Sequence, residues 1–303
     1  MRILIIGLGS IAYKHIKSIL KINSEAEIYA LRHDKNSKSI DNVHNLYSLD
    51  DAPANLDFIL ISNPSSKHYN TIQSVLDFNC PLFIEKPVIT NLKGVDQLIQ
   101  KINNHNILTY VGCNLRFHPV IEYLKSEFIK RKPIELNIYC GSYLPDWRPD
   151  SDYREGYSAK KDLGGGVHFD LIHELDYTIY LMGNPSKVDS YFAKKSLLEI
   201  SSIDIAHYIL EYPKTSTFIT LNYYRPQPKR LLEIVWKDHI WFANILTGEI
   251  IDEKNNLIFS DNTKIVDTYD KQMRYFLNCI KDGIKPENDF QSGINTLKVC
   301  LNE

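Results

Sequence analysis

The sequence lacks the features of disulfide-rich, zinc-ribbon and membrane proteins. Its five cysteines are scattered along 303 residues and form no Cys-x-x-Cys pair, so neither a disulfide framework nor a zinc ribbon is indicated. No apolar run is long enough to cross a membrane, and the run after Met1 is too short for a signal peptide. We therefore expect a cytoplasmic protein that has no membrane partner.

The chain also lacks an excess of charge of either sign. Lys and Arg number 35 and Asp and Glu number 37, which leaves a formal net charge of -2. Nucleic-acid-binding domains usually carry a strong positive charge, so we expect no nucleic-acid partner. The length is sufficient for two domains of ordinary size.

Strand patterns alternate with helical patterns through the first 118 residues. Apolar runs of this kind suit strands that are buried on both faces of a parallel sheet. Strands that alternate with helices predict an α/β fold with a doubly wound parallel sheet. We therefore assign residues 1–118 to a Rossmann domain that binds a dinucleotide. The predicted strands cover residues 2–6, 27–31, 57–62, 82–84 and 107–112.

A glycine-rich turn follows the first predicted strand. The segment reads Gly-Leu-Gly-Ser-Ile-Ala over residues 7–12 and leads into a helical pattern. In this context the first glycine permits a tight turn, and the second lets the backbone approach a pyrophosphate at the helix N-terminus. A tight turn without a ligand is the alternative. The predicted cofactor contacts here are Gly7, Gly9, Ser10 and Ile11.

The second predicted strand ends in Arg32 and His33, where many NAD-binding chains carry an acidic residue for the ribose hydroxyls. A guanidinium group suits a 2'-phosphate, so we predict both residues as cofactor contacts and NADP as the preferred cofactor. Asp34, one position later, could still serve NAD. A solvated charge at a strand end is the alternative for Arg32.

Further candidates follow the next two predicted strands. Because parallel strands place their carboxyl ends at the ligand-binding edge of such a sheet, side chains there are candidate cofactor contacts. A proline follows the lysine at the end of the fourth predicted strand. The predicted contacts are Asn63, Pro64, His68, Glu85 and Lys86.

The second half of the chain has a different rhythm. Strand-like runs at 187–195, 205–212, 216–224 and 230–246 follow one another without helices, which predicts an antiparallel sheet. We assign residues 119–303 to an α+β domain with a large, mostly antiparallel, open-faced sheet for substrate binding and oligomerisation. One helix layer covers only one face. We therefore expect the open face to pair with another subunit in a homodimer or homotetramer.

Three glycines at 164–166 precede a segment with a helical pattern. Residues three and four apart share a helical face, so an acid and an imidazole fall on one stripe that suits acid/base chemistry. An ordinary amphipathic helix with a solvated face is the alternative. The predicted stripe comprises Asp170, His173, Glu174 and Tyr177.

Four elements, taken in order, resemble the Gfo/Idh/MocA oxidoreductase family. They are GLGSIA at 7–12, EKP at 85–87, NLRF at 114–117 and GGGVHFDLIHELD at 164–176. The resemblance covers nearly the whole chain. It implies a dinucleotide-binding domain, an open-faced substrate sheet, and hydride transfer between NAD(P) and a carbon of a sugar or cyclitol.

The resemblance also implies three catalytic residues. Lys86 matches the family lysine that contacts cofactor and substrate, Asp170 the helix carboxylate, and His173 the family histidine. We predict that they converge beside the nicotinamide. Only two residues separate Asp170 from His173, whereas the family usually has three, and Glu174 takes the expected position. Either His173 or Glu174 could therefore carry the proton.

Substrate candidates lie in a polar and aromatic insertion at 144–163 and around it. Aromatic rings stack on sugar faces, and arginines pair with carboxylates or phosphates, which predicts an anionic or nucleotide-linked sugar. The insertion resembles that of family branches in bacterial surface-glycan synthesis. Packing of a long loop is the alternative. The candidates are Arg116, Trp147, Arg148, Tyr153, Arg154, His173 and Glu174.

Other functional classes remain open at this stage. The same fold could serve a non-catalytic NAD(P)-binding sensor, or a redox-neutral epimerase or lyase with bound NAD. A metal site is not expected, because His168 would point away from the other potential ligands on the helix.

Overall fold

The computed structural model describes residues 1–32, 35 and 40–303, and the chain forms two compact units. The first comprises Met1–Cys113 and Tyr269–Ile294, and the second comprises Asn114–Thr268 and Asn295–Glu303. The first break lies after Cys113, near the expected boundary after residue 118, and residues 269–294 return to the first unit. Periodicity along the chain does not show such a return.

The first unit contains a parallel sheet, as predicted. Six strands among its described residues are arranged in the order β3-β2-β1-β4-β5-β6. Each neighbouring pair is parallel, and the central strands are almost fully buried because both faces are covered. The strands are β1 Arg2–Ile6, β2 Glu27–Leu31, β3 Val43–Leu46, β4 Phe58–Ile61, β5 Leu82–Glu85 and β6 Thr109–Gly112.

Three helices connect strands of this sheet. The first begins directly after the glycine turn and buries Ala12, His15, Ile16 and Ile19, which are spaced three and four apart. The helices are α1 Ser10–Ile22, α2 His68–Val75 and α3 Val95–Asn104.

The second unit, which is described throughout, is built on an eight-stranded sheet in the order β14-β13-β12-β11-β7-β10-β9-β8. All neighbouring pairs are antiparallel except β7 with β10, which confirms the predicted mostly antiparallel sheet. The strands are β7 Glu135–Tyr143, β8 Lys187–Ala193, β9 Ile205–Tyr212, β10 Thr215–Asn222, β11 Tyr224–Val235, β12 Ile240–Asn244, β13 Glu249–Asp252 and β14 Leu257–Ser260.

Burial alternates along the central strands of this second sheet. On β7, Leu136, Ile138 and Cys140 are buried, whereas the intervening Asn137 and Tyr139 are partly exposed. The buried side chains form the core with the helices of the unit, and the other face of the sheet is uncovered. The helices are α4 Pro119–Lys130, α5 Val167–Asp170 and α6 His173–Met182.

Two helices complete the chain, α7 Thr268–Asp282 and α8 Phe290–Leu301. In the first unit, Phe276 of α7 packs edge-on against Phe58 and Phe83, with ring centroids 5.2 and 5.3 Å away. This contact fixes the returning segment on the sheet. Among the described helices, none has the length and apolar character needed to cross a bilayer.

Candidate active site

A cavity of about 520 Å³ lies at the carboxyl edge of the first sheet. It is formed where β1, β2 and β4 end, which is the ligand-binding edge of such a sheet. Two cationic side chains line it, Arg32 and Lys67, so it suits an anionic ligand. Of the predicted cofactor contacts, the structure brings Gly7, Arg32, Asn63 and Pro64 to this cavity.

The two glycines of the turn have different physical roles. Gly7 adopts a φ of 93°, and a Cβ atom there would lie 2.4 Å from the Cα atom of Asn63. Glycine is therefore required at position 7, because the turn packs closely against the loop that follows β4. A Cβ atom on Gly9 would meet nothing within 4 Å, so the backbone at Gly9 borders open space.

Helix α1 begins at Ser10, directly after Gly9, and carries no acidic residue in its first turn. The first amide groups of a helix have no acceptor within the helix, and the helix dipole favours an anion there. Ser10 and Ile11 are the first residues of this end. The bare backbone at Gly9 and the helix N-terminus therefore fit a dinucleotide pyrophosphate.

Arg32 follows β2, and its backbone amide donates to Leu46 of β3 at 2.8 Å. Its guanidinium group donates to Asn45 Oδ1 at 3.3 Å. The side chain therefore lies along the cavity wall, close to Ser48, which also lines the cavity. His33 and Asp34 lie outside the described residues.

His68 is fully buried and does not line the cavity. Its Nδ1 atom lies 3.0 Å from the carbonyl oxygen of Pro87, and Nε2 lies 2.9 Å from that of Asn63. Burial lowers the pKa of His68, although the carbonyl contacts favour the protonated ring. The His68 side chain therefore links the loop that follows β4 to the segment that follows β5.

Glu85 is likewise buried, and its carboxylate lies 2.6 Å from His15 Nε2. Lys86 follows β5 and is partly exposed at the carboxyl edge of the sheet. The two neighbouring residues thus face different surroundings. The Glu85 carboxylate is therefore bonded within the interior of the unit, whereas the partly exposed Lys86 side chain is accessible to a ligand.

In the second unit, the predicted continuous helix after the glycines is wrong. Helix α5 ends at Asp170, and α6 begins at His173 after a turn at Leu171 and Ile172. The single polar stripe is also wrong, because Glu174 and Tyr177 are fully buried. The helix is interrupted at residues 171 and 172, so the simple spacing rule for a helical face does not hold across the break.

Asp170 has a partner that the sequence did not indicate. The hydroxyl of the fully buried Tyr223 donates to Asp170 Oδ2 at 2.5 Å. Burial raises the pKa of Tyr223 well above its usual value, and the Asp170 carboxylate acts in the same direction. The phenol therefore stays protonated and remains a hydrogen-bond donor.

Trp147 contacts the same buried tyrosine, Tyr223. Its ring meets that of Tyr223 edge-on, with centroids 5.4 Å apart, and its Nε1 donates to Ser142 at 2.7 Å. The indole is 37% exposed, so it presents an aromatic surface next to the buried tyrosine. Of the predicted substrate contacts, Trp147 therefore packs on the tyrosine that bonds Asp170.

The two candidate proton carriers, His173 and Glu174, differ in their surroundings. Glu174 accepts from Arg230 Nε at 2.7 Å and has no exposed surface. His173 is the first residue of α6 and is partly exposed. The ion pair neutralises the Glu174 carboxylate in the interior, so the imidazole is the more accessible group.

The remaining substrate candidates take part in other contacts. Arg116 donates to both carboxylate oxygens of Asp176, at 2.8 and 2.7 Å. Tyr153 accepts from the Glu199 amide at 3.2 Å, and Arg154 pairs with Asp152 and Glu199 on the surface. Arg148 is exposed on the turn after Trp147. Loop packing therefore accounts for Tyr153 and Arg154 in this structure.

No metal-binding cluster accompanies these residues. The His, Cys, Asp and Glu side chains in the described ranges form no group of three or more that could hold a metal ion. The Tyr223 phenol bonds Asp170 and the Trp147 indole packs on that phenol, while the partly exposed imidazole of His173 follows three positions later in the chain. This set suits proton transfer and the binding of hydroxyl groups.

Comparisons with known proteins agree with both units. A family described as "Oxidoreductase family, NAD-binding Rossmann fold" matches residues 1–113. One described as "Oxidoreductase family, C-terminal alpha/beta domain" matches residues 138–229. Myo-inositol 2-dehydrogenase of Thermotoga maritima is 25% identical over 322 residues, covering 97% of this chain and 92% of its own length.

Two solved structures share the fold over nearly the whole chain. UDP-N-acetylglucosamine 3-dehydrogenase GnnA from Acidithiobacillus ferrooxidans has a TM-score of 0.80 at 21% identity, covering 100% of this chain and 96% of that one. The WlbA dehydrogenase from Bordetella pertussis, in complex with NADH and UDP-GlcNAcA, has a TM-score of 0.81 at 16% identity, covering 99% and 94%.

Proposed function

The chain belongs to the Gfo/Idh/MocA oxidoreductase family, and we propose that it transfers a hydride between a nicotinamide and a carbinol or carbonyl carbon of a sugar, sugar derivative or cyclitol. One observation carries the proposal. Asp170 is held by the buried phenol of Tyr223, which lies beside the exposed indole of Trp147. A carboxylate fixed in this way, with an imidazole three positions later, is suited to handling a hydroxyl group.

The chemistry assigns a role to each proposed catalytic residue. A hydride leaves a carbinol carbon only if the hydroxyl proton also leaves, so a base must lie within hydrogen-bond reach of that oxygen. His173 takes the proton, since imidazole titrates near neutral pH. Asp170 orients the imidazole or a neighbouring hydroxyl, and Lys86 stabilises negative charge on the reacting oxygen.

The first unit binds the cofactor. Gly9, Ser10 and Ile11 hold the pyrophosphate at the start of α1, and the nicotinamide, when bound, supplies the redox chemistry. Arg32 and Lys67 at the cavity wall favour a phosphate on the ribose, so NADP is preferred over NAD.

The substrate is a sugar or cyclitol with an anionic or nucleotide-linked group as the favoured form. The relatives named above act on myo-inositol and UDP-N-acetylglucosamine. The exposed face of Trp147 supports stacking on a sugar ring. Arg148, exposed on the adjacent turn, would pair with an anionic group of the substrate.

The uncovered sheet face supports self-association. Ile209 of β9 pairs with Phe218 of β10, and the two side chains are 42% and 39% exposed. Tyr191, on the neighbouring β8, is 49% exposed. A cluster of exposed apolar side chains of this kind often marks an interaction surface, and we expect a cytoplasmic homodimer or homotetramer. Light scattering that shows a monomer at micromolar concentration would contradict this.

A turnover assay tests the catalytic proposal. The protein is incubated with NAD or NADP and with either myo-inositol or UDP-N-acetylglucosamine, and the absorbance of the reduced nicotinamide is followed. We expect reduced cofactor to accumulate, and we expect Lys86→Ala and His173→Ala each to lower turnover by about two orders of magnitude or more. Cofactor binding should largely survive the His173 change.

The same assay distinguishes the proposed dehydrogenase from the two other functional classes that this fold could serve. Product formation without a net change in reduced cofactor would indicate a redox-neutral epimerase or lyase. Cofactor binding with no product from a wider panel of sugars would indicate a sensor protein.

A further inference from the structure

A buried imidazole–carboxylate pair lies beneath the end of β5 in the first unit. His15 Nε2 and Glu85 Oε1 are 2.6 Å apart, although the residues are 70 positions apart in the sequence. The His15 side chain is fully buried, and that of Glu85 is 9% exposed. A carboxylate in such surroundings requires a partner, because an isolated buried charge is costly. The imidazole is that partner.

The surroundings fix both side chains. The His15 ring packs edge-on against Phe83 and Tyr269, with ring centroids 4.8 and 5.6 Å away. Gly112 pairs with Glu85 in the sheet, and a Cβ atom on this glycine would lie 3.0 Å from Glu85 Oε1. The absent side chain of Gly112 therefore makes room for the carboxylate. The aromatic rings hold the imidazole against it.

The other oxygen of the same carboxylate contacts the backbone of the next residue. Glu85 Oε2 accepts from the amide of Lys86 at 3.3 Å. One carboxylate thus joins an imidazole on α1 to the main chain of Lys86 at the end of β5. Because Lys86 lies at a strand end, the direction of its side chain depends on how this backbone is held.

We propose that His15 is a positioning residue for Lys86 and acts through Glu85. The catalytic consequence rests on the proposed function, in which Lys86 contacts the reacting oxygen. Glu85, predicted from the sequence as a cofactor contact, acts instead from beneath the strand end. Helix α1 then has two tasks, since its N-terminus receives the pyrophosphate and its second turn fixes the lysine.

The test measures the chemical reactivity of Lys86 in the cofactor-free protein. Limiting trinitrobenzenesulfonate labels accessible amines, and mass spectrometry gives the labelling of Lys86 relative to that of the exposed Lys93. His15→Phe keeps an aromatic ring and removes the hydrogen bond. His15→Gln restores an amide donor near the original Nε2 position. Ile19→Ala, a buried change one turn further along α1, is the control for lost stability.

We expect His15→Phe to change the Lys86-to-Lys93 ratio severalfold and His15→Gln to return it towards the wild-type value. Ile19→Ala should leave the ratio unchanged although it lowers stability. Where turnover is established, kcat should fall by up to about a hundredfold with little change in KM.

An unchanged ratio in folded His15→Phe, or an equal change in Ile19→Ala, would overturn the proposal. If circular dichroism shows that His15→Phe does not fold, Glu85→Gln is measured by the same ratio. This variant keeps the size of the side chain and removes its charge, and an unchanged ratio there also overturns the proposal. Labelling requires no turnover, so its outcome is independent of whether the proposed oxidoreductase activity is found.

Discussion

The hydroxyl of Tyr223 lies 2.5 Å from a carboxylate oxygen of Asp170, 53 positions earlier in the chain. This contact joins the end of α5 to the residue between β10 and β11. The tyrosine has no exposed surface, and burial raises its pKa well above the usual value. The Tyr223 phenol therefore remains a hydrogen-bond donor to Asp170 at neutral pH, and this contact holds the carboxylate.

Removing this donor should impair turnover more than it impairs cofactor binding. A hydrogen bond to a charged group contributes about 1.5–3 kcal/mol, which corresponds to about a ten- to hundredfold change in rate. We expect Tyr223→Phe to lower kcat within that range and to leave NADP binding unchanged. Steady-state kinetics and a fluorescence titration measure the two quantities.

Tyr208→Phe is the matched control for that change. Tyr208 is also buried, and its hydroxyl donates to the carbonyl oxygen of Cys300, so it makes no contact with Asp170. Both variants lose one buried phenol hydroxyl. If the two lower kcat equally, the effect is one of general stability, and the role of Tyr223 at Asp170 is wrong.

The proton carrier is tested by a pair of variants at neighbouring positions. His173→Asn should lower turnover by about two orders of magnitude with little loss of stability, since His173 is partly exposed and is the proposed base. Glu174→Gln leaves Arg230 charged in the interior, and breaking such a pair costs about 3–5 kcal/mol of unfolding free energy. Urea unfolding and turnover are measured for both.

The opposite pattern would reassign the base. Turnover that survives in His173→Asn and vanishes in folded Glu174→Gln would make Glu174 the proton carrier. Asp176→Asn is the control for the loss of a buried ion pair. Asp176 lies on the same helix and forms a second, nearly buried ion pair with Arg116. We expect Asp176→Asn to lower stability in the manner of Glu174→Gln.

The first sheet was more predictable than the second-unit site for a physical reason. Strands such as β1 and β4 are buried on both faces, so their sequences are uniformly apolar and recognisable. The edge strand β3, Val43–Leu46, is partly exposed and half polar, so it lacks the apolar run that predicts a buried strand. The parallel topology then followed from the alternation of strands and helices alone.

The contacts at Asp170 and Glu174 depend on distant residues. Arg230 lies 56 positions after Glu174, and Tyr223 lies 53 positions after Asp170. Helical spacing describes neighbours within one helix and says nothing of partners on a facing sheet. The break at residues 171 and 172 also has no proline or glycine to announce it. The family resemblance suggested the residues that we propose as reactive, whereas their partners required the structure.

Cofactor preference should change when the cavity loses a guanidinium group. Arg32 lines the cavity at the end of β2, and a charge-assisted hydrogen bond to a phosphate contributes about 1.5–3 kcal/mol. We expect Arg32→Ala to weaken NADP binding by about ten- to hundredfold and to leave NAD binding nearly unchanged. Fluorescence titration with both cofactors measures this. Tighter binding of NAD than of NADP by the unmodified protein would show that the preference is wrong.

The stability of the protein should fall in mildly acidic solution, partly because of His168. Burial lowers the pKa of this histidine from 6.5 to about 4. Its Nδ1 atom is buried without a hydrogen bond, and its ring centroid lies 3.8 Å from that of Phe169. Between these pH values the unfolded imidazole binds a proton that the folded one does not. The stability from this group is therefore complete above pH 6.5 and is lost as the pH falls towards 4.

A variant without this imidazole should lose less stability than the wild type as the pH falls. Two to three pKa units correspond to about 3 kcal/mol, so the unfolding free energy of His168→Phe should decline by about that much less than wild type between pH 6.5 and 4. Urea unfolding at several pH values gives the two slopes. His105→Gln, at an exposed histidine of the first unit, should reproduce the wild-type slope. If His168→Phe also reproduces it, other groups cause the acid sensitivity, and His168 titrates alike in the folded and unfolded chains.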